Sequence, residues 1–257
     1  MKKTILVTND DGFDSEGLNI LVKALKKIAH VVVVAPAFEK SACGHSLTLT
    51  KPLKLKKVKK DFYKLEDGTP SDCVYIALRS LFKKKPDLVV SGINRGANLG
   101  EDITYSGTAS ACMEAVLQGV RAVAFSQVYK DVPKSIDYKL AKKVAKKLCK
   151  KILDTPFPLE ERKFLNVNIP PMVAFKGYKV ARAGKRDYGN EASKYKTPKG
   201  EKFYWIGLPS YKWFSSHEKD CDLSAINEGF VSITPVHLDM TSYDDLKRVQ
   251  KWISLSG

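Results

Sequence analysis

Cysteine, histidine, acidic charge and long apolar runs are all in short supply in this chain. Its five cysteines (Cys43, Cys73, Cys112, Cys149 and Cys221) are scattered, form no C-x-x-C pair and are odd in number. That argues against a disulfide framework and a structural zinc site, and points to a reducing compartment. No apolar run approaches the roughly 20 residues of a membrane-spanning helix. Ile5-Leu6-Val7 is soon interrupted by Asn9-Asp10-Asp11, too early for the hydrophobic region of a signal peptide. The expectation is a soluble, cytoplasmic protein with no membrane partner. Neither a Walker A loop nor a G-x-G-x-x-G fingerprint occurs, so neither standard nucleotide-cradling motif is available.

The shortage of acidic groups leaves a formal net charge of +16, which favours anionic partners. The densest basic run, Lys139 to Lys151, decides its own case. Leu140, Ala141, Val144, Ala145, Leu148 and Ile152 share one helical face and the lysines take the other, so these lysines are the wet side of a core-packed helix. Lys54–Lys60 reads as an edge strand or a hairpin. No aromatic residues interleave with the lysines in these runs, and nucleic acid is not the expected partner.

What remains is ordered alternation. Thr4–Thr8, Val31–Val34, Asp87–Ser91, Arg121–Ser126 and Phe164–Asn168 are short apolar runs, read as buried strands. Glu16–Ile28, Ser71–Phe82, Thr108–Gln118 and the lysine-rich segment carry helical periodicity between them, and Gly119 fits the stop of the third. Continuous apolar strands separated by amphipathic helices predict an α/β fold: a Rossmann-like, doubly wound, mostly parallel sheet covered on both faces. The pattern changes near residue 170. Lys179–Ala183, Lys202–Ile206 and Val231–Thr234 read as strands, with an aromatic patch at Tyr204, Trp205, Tyr211, Trp213 and Phe214 and a final helix at Tyr243–Ile253. The expected organisation is a catalytic core over residues 1–170, followed over 171–257 by a β-hairpin extension, a returning strand and a terminal helix. The second part belongs to the same domain and serves as an oligomerisation arm.

Three polar clusters stand where these strands end. Asn9-Asp10-Asp11-Gly12 follows the first, Lys40-Ser41 lies after the second, and Gly92-Ile93-Asn94 follows the third. In a parallel sheet all carboxyl ends share one edge, where ligands bind. Asp10, Asp11, Ser41 and Asn94 can therefore converge. Two carboxylates, a hydroxyl and an amide are hard oxygen donors, suited to one Mg²⁺ or Mn²⁺ ion per subunit and ill suited to zinc. The same tetrapeptide is also what a turn capping the helix near Ser15 needs, and residue types alone leave both readings open. A second cluster surrounds Ser106-Gly107-Thr108, at the expected start of a helix, where free N–H groups and the helix dipole favour phosphate. His45, after Gly44, alone among the four histidines lies near these clusters in sequence.

Taken together, the stretches 7–12 (VTNDDG), 40–45 (KSACGH), 68–73 (GTPSDC), 91–98 (SGINRGAN) and 105–108 (YSGT), with 184–188 (GKRDY) and 229–235 (GFVSITP), resemble the SurE, or survival protein E, family. Lys40 stands where that family more often has arginine, and Ala115 where glycine is common. The resemblance spans nearly the whole chain. It implies a metal-dependent phosphatase of nucleoside 5′- and 3′-monophosphates, using Mn²⁺ or Mg²⁺ held by Asp10, Asp11, Ser41 and Asn94. It further implies a homodimer or homotetramer joined by a C-terminal arm. On this reading Asp10 and Asp11 are also the catalytic pair, with Asp11 orienting or deprotonating the attacking water. The substrate-binding candidates are Asn9, Gly44, His45, Asn98, Ser106, Gly107 and Thr108. Three rival readings carry distinct signatures. A phospho-aspartyl enzyme usually spaces its aspartates by one residue, a nucleotide sensor would bind without turnover, and a nucleic-acid binder would ignore EDTA.

Overall fold

Strand β1 (Thr4–Thr8) divides its side chains between two cores. Ile5 and Val7 face one layer, and Leu6 faces the other. The same division recurs in β2 (His30–Pro36), β5 (Leu88–Arg95) and β6 (Ala122–Gln127), which explains why these strands read as unbroken apolar runs. The computed structural model describes residues 2–129, 135–171, 175–185, 192–206 and 219–254.

Helices α1 (Glu16–Leu25) and α4 (Lys139–Asp154) close one face of the sheet, and α2 (Pro70–Ile76) and α3 (Gly107–Leu117) close the other. The sheet gains β3 (Lys54–Lys59), β4 (Phe62–Glu66), β7 (Lys163–Ile169), β8 (Tyr178–Val180) and β11 (Val231–His237). Its nine strands run in the order β3-β4-β2-β1-β5-β6-β7-β11-β8. The six from β4 to β7 are mutually parallel. The chain winds outward from β1 through β2, then returns to the opposite side of β1 as β5. The doubly wound α/β expectation holds, and its switch point lies between β1 and β5, the place where sheets of this kind bind ligands.

Several boundaries differ from the sequence reading, each for a local reason. Gly92, Ile93 and Asn94 lie inside β5 rather than beyond it, because pairing with β6 resumes at Asn94 after a register shift from Ser91. The helix expected over 71–82 ends as α2 at Ile76 and continues through a π-helical turn at Ala77–Leu81. The lysine stretch at 54–60 agrees with its reading, forming the edge strand β3, antiparallel to β4. Past residue 170 the main sheet continues. β11 pairs antiparallel with β7, and β8 pairs with β11, so neither belongs to a projecting hairpin. The hairpin that stands off the main sheet is β9 (Ser193–Lys196) with β10 (Lys202–Trp205). Of the aromatic patch, Tyr204 and Trp205 are exposed, and Tyr211, Trp213 and Phe214 lie outside the described residues. A short helix unforeseen in the sequence, α5 (Asp222–Asn227), precedes β11, and α6 (Tyr243–Ser254) buries none of its residues.

Candidate active site

The turn after β1 is built by its own side chains. Asn9 is fully buried, and its amide donates to Gly12 O at 2.9 Å and to Ser15 Oγ at 2.8 Å. Ser15 in turn caps α1 by accepting from Leu18 N. The capping role foreseen as an alternative for this tetrapeptide therefore falls to Asn9 and Ser15, and the two aspartates are left for other work. In this geometry Asn9 holds the turn, with its amide occupied inside the protein.

Asp10 is 5% exposed and takes a hydrogen bond from the Thr108 hydroxyl. This contact joins the end of β1 to the first turn of α3. It depends on Gly107: a Cβ there would sit 2.8 Å from Asp10 Cβ and 3.0 Å from its Oδ2. Burial drives the Asp10 pKa upward, against the pull of the Thr108 hydroxyl. Asp11 is pushed up to about 7, first by burial and then by the neighbouring Asp10 charge. Arg95 N donates to its Oδ2 at 3.2 Å, so Asp11 and the end of β5 meet across the switch point. Asn94 adjoins on β5, with its amide donating to Gly96 O at 3.1 Å. Ser106 caps α3 through its hydroxyl, which accepts from Ala109 N at 3.0 Å.

The loop after β2 comes to the same edge. Lys40 N donates to Asp10 O at 2.8 Å, and Gly44 N donates to Tyr105 O at 3.0 Å. Ser41 is exposed, and its hydroxyl donates to Glu39 Oε1 at 2.6 Å. The backbone thus carries Ser41 to the residue next to an Asp10 contact, with its side chain turned to Glu39. His45 Nε2 lies 3.0 Å from Glu114 Oε2, two helical turns along α3 from Gly107. Glu114 is 5% exposed; burial pushes its pKa up, but hydrogen bonds from His45 and Gln118 outweigh that and hold it below the usual range. His45 is therefore oriented by a buried carboxylate of α3.

Asn98 occupies the loop beyond β5. Its amide donates to Ser126 Oγ at 2.8 Å and its N–H to Asn168 Oδ1 at 2.9 Å. Two positions on, Gly100 N donates to Asp222 Oδ2 at 2.7 Å, and Asp222 also accepts from Gly184 N at 2.9 Å. Burial raises the Asp222 pKa against these backbone donors. Gly100 sits at φ +55°, and a Cβ there would meet Gly184 O at 2.4 Å. The C-terminal part of the chain thus buttresses the site loop. Sequence reasoning missed Asp222, Glu114 and Glu39. Of these, only Asp222 left a signal, as an acidic residue at the start of a short apolar helical stretch.

The arrangement fits a hard divalent cation. Two crowded carboxylates whose protons are held by burial and mutual repulsion are stabilised by a cation beside them. Among the described residues no group of three His, Cys, Asp or Glu side chains is placed to hold a metal; neutral oxygens such as those of Ser41 and Asn94 are of the kind such a cation takes beside carboxylates. The start of α3 lies against Asp10, offering N–H groups and a positive dipole end to an anion.

Comparison with known proteins gives the lineage. The family model described as "Survival protein SurE" matches residues 5–190. The chain is 55% identical to the "5'-nucleotidase SurE" of Aliarcobacter butzleri (strain RM4018), covering 98% of this chain and 99% of that protein. It is 54% identical to the protein of the same name from Helicobacter hepaticus (strain ATCC 51449 / 3B1), covering 98% and 100%. The crystal structure of the SurE protein from Aquifex aeolicus superposes with a TM-score of 0.84 at 46% identity, covering 97% of this chain and 99% of that one. With the family model, the full-length relatives and the superposed fold all in agreement, the chain belongs to the SurE family.

Proposed function

We propose that this protein is a 5′-nucleotidase, a phosphomonoesterase that hydrolyses nucleoside 5′-monophosphates, and 3′-monophosphates as well, to nucleoside and phosphate. The observation that carries this reading is the meeting of Asp10, Asp11 and the start of α3 at one edge of the switch point. Relatives named 5'-nucleotidase SurE that match over nearly the whole chain support it. Asp10, Asp11, Ser41 and Asn94 would hold one Mg²⁺ or Mn²⁺ ion per subunit, with Ser41 turning from Glu39 to do so. When bound, such an ion neutralises phosphate charge and makes water a better nucleophile near neutral pH.

The chain's own residues do the rest. Thr108 fixes the Asp10 carboxylate through its hydroxyl. Asp11, beside the Arg95 amide, orients the attacking water and takes its proton. The Gly107 and Thr108 amides at the start of α3 and the Asn98 side chain bind phosphate oxygens and stabilise the charge that gathers there. Gly44 is held beside the start of α3 by Tyr105, and His45 lies further along the helix at Glu114, where the nucleoside would extend. The protein works in the cytoplasm as a homodimer or homotetramer, and its substrates are nucleoside monophosphates rather than nucleic acid.

Phosphate release from a panel of nucleoside 5′- and 3′-monophosphates tests the proposal, using EDTA-treated protein with and without Mn²⁺ or Mg²⁺. The expected outcome is release only when metal is restored. Folded protein that binds nucleotides yet releases no phosphate with either ion would make it a sensor instead.

A further inference from the structure

Strand β7 carries an anomaly. It lies inside the sheet between β6 and β11, yet Asn166 and Asn168 are both wholly buried on it. Buried amides lose solvation and persist where their hydrogen bonds repay it. Both bond to one residue, Asn98. Asn168 takes the Asn98 N–H on its Oδ1 at 2.9 Å and returns its Nδ2 to the Asn98 carbonyl at 2.9 Å. Asn166 Nδ2 donates to that same carbonyl at 2.8 Å. Ser126 on β6, register partner of Asn168, accepts from the Asn98 side-chain amide at 2.8 Å. The peptide groups of Asn98 are thus gripped by the sheet, and one hydrogen of its side-chain nitrogen is committed to Ser126. An amide nitrogen carries two hydrogens, so Ser126 fixes the direction in which the second one points.

We propose that Asn166, Asn168 and Ser126 are positioning residues of the reaction: a buried clamp that sets Asn98 for phosphate binding. The inference rests on the reading above that Asn98 contacts the substrate. The energetic case is asymmetric. A loop needing only to be held down is already pinned at Gly96 N by Gln127 O and at Gly100 N by Asp222. The intervening residue is given three further side chains that fix both its peptide groups and its amide. Such over-determination preorganises a donor before the substrate arrives, and preorganisation is where binding and catalysis gain most from hydrogen bonds. Neither asparagine forms part of the aspartate pair or of the α3 start. Their effect must pass through Asn98.

Steady-state kinetics of the full-length, metal-loaded protein on a nucleoside monophosphate test the clamp, with inorganic phosphate as a product inhibitor. Asn168→Asp keeps the acceptor for Asn98 N but turns a carboxylate oxygen toward the Asn98 carbonyl. It should lower kcat/KM about tenfold or more, as Asn98→Ala should. The loss should appear mainly as a raised KM and a raised inhibition constant for phosphate, with the metal-titration midpoint unchanged. A purely structural defect would instead remove active molecules and lower kcat alone. The double variant N98A/N168D should be no worse than N98A, because both changes remove one contact. Ser126→Ala preserves packing and frees the amide to rotate, and it decides the matter should N168D not fold; it should lower kcat/KM about three- to tenfold. Normal kinetics in N168D and S126A beside a defective N98A would overturn the clamp and leave the Asn98 role standing. Losses that multiply in the double variant would also overturn it. Normal kinetics in N98A would remove the substrate role of Asn98, and the clamp with it.

Discussion

Asp10 and Asp11 are adjacent carboxylates held largely away from water, and one physical fact governs both: ionising them without a cation is costly. An acid whose pKa rises on folding binds its proton more tightly in the folded state. Stability is then full below the unfolded pKa and declines as pH climbs through the folded value. Asp11 moves from 3.8 to about 7, and Asp10 moves in the same direction. Metal-free protein should therefore lose thermal stability between about pH 4 and pH 7. A bound cation reverses this by favouring the ionised pair, so binding tightens with pH. The gap in melting temperature between protein with saturating Mn²⁺ and protein with EDTA should widen steadily from pH 5 to pH 8. A gap that stays flat, or none at all, would mean that the ion is not held by these carboxylates. The companion prediction concerns turnover. Asp10→Asn or Asp11→Asn should lower kcat/KM on the order of a thousandfold or more while the circular dichroism spectrum stays unchanged; near-normal activity in a folded variant would remove the pair from the mechanism. These two residues were legible because charge directly after an apolar strand is conspicuous. Asn98 was legible only as part of a glycine-rich stretch. Its fixing by Asn166 and Asn168 was hidden, although alternating asparagines in a strand otherwise apolar were a signal.

At the scale of elements, the start of α3 matters more than its sequence suggests. Helix α3 is almost wholly buried, so its position is set by packing on both sides, and its first turn touches Asp10. A methyl at residue 107 would approach Asp10 Cβ to 2.8 Å and Cys43 Sγ to 3.1 Å, with Asp10 Oδ2 at 3.0 Å. Gly107→Ala should displace the aspartate from Thr108 and cost about a hundredfold in kcat/KM, whereas a packing-neutral change on the exposed face of α4 should cost nothing. A small effect would show that the contact between α3 and Asp10 tolerates movement. Helix α2 offers the contrasting case. Asp72 completes a capping box with Thr69 and accepts both the N–H and the hydroxyl of Thr48. Its loss should cost about 2 kcal/mol of stability, seen as a lower denaturation midpoint, with activity per folded molecule unchanged. The helices and parallel strands before residue 170 were readable because each repeats an apolar period over several residues. The elements overlooked, β4, β9 and α5, are four to six residues long and are decided by their neighbours in space. No period of their own reveals them.

The whole molecule ends its described chain on α6, and that helix is at odds with the rest. Among the described residues every other α-helix buries a face, but α6 buries nothing. Its Leu246, Val249, Trp252 and Ile253 are all largely exposed to solvent, at 54%, 49%, 69% and 55% respectively. Their spacing of three and four places them on one side, opposite Asp244, Lys247 and Lys251, which is the pattern of a helix seated on a partner. A surface of that kind on a lone subunit invites association. The net charge of +16 works the other way by repelling copies at long range, so a contact between copies would have to come from apolar burial rather than charge. A homodimer or homotetramer in which α6 packs on a second copy satisfies both conditions. Leu246→Asp with Trp252→Asp places two charges in such an interface. The double variant should shift the mass measured by light scattering from oligomer to monomer, most clearly at low protein concentration. Because Asp10, Asp11 and the start of α3 lie at the far edge of the parallel strands, the monomer should keep its metal-dependent rise in melting temperature. An oligomer unaffected by both charges would place the subunit contact elsewhere, with the β9–β10 hairpin and its exposed Tyr204 and Trp205 the next surface to probe.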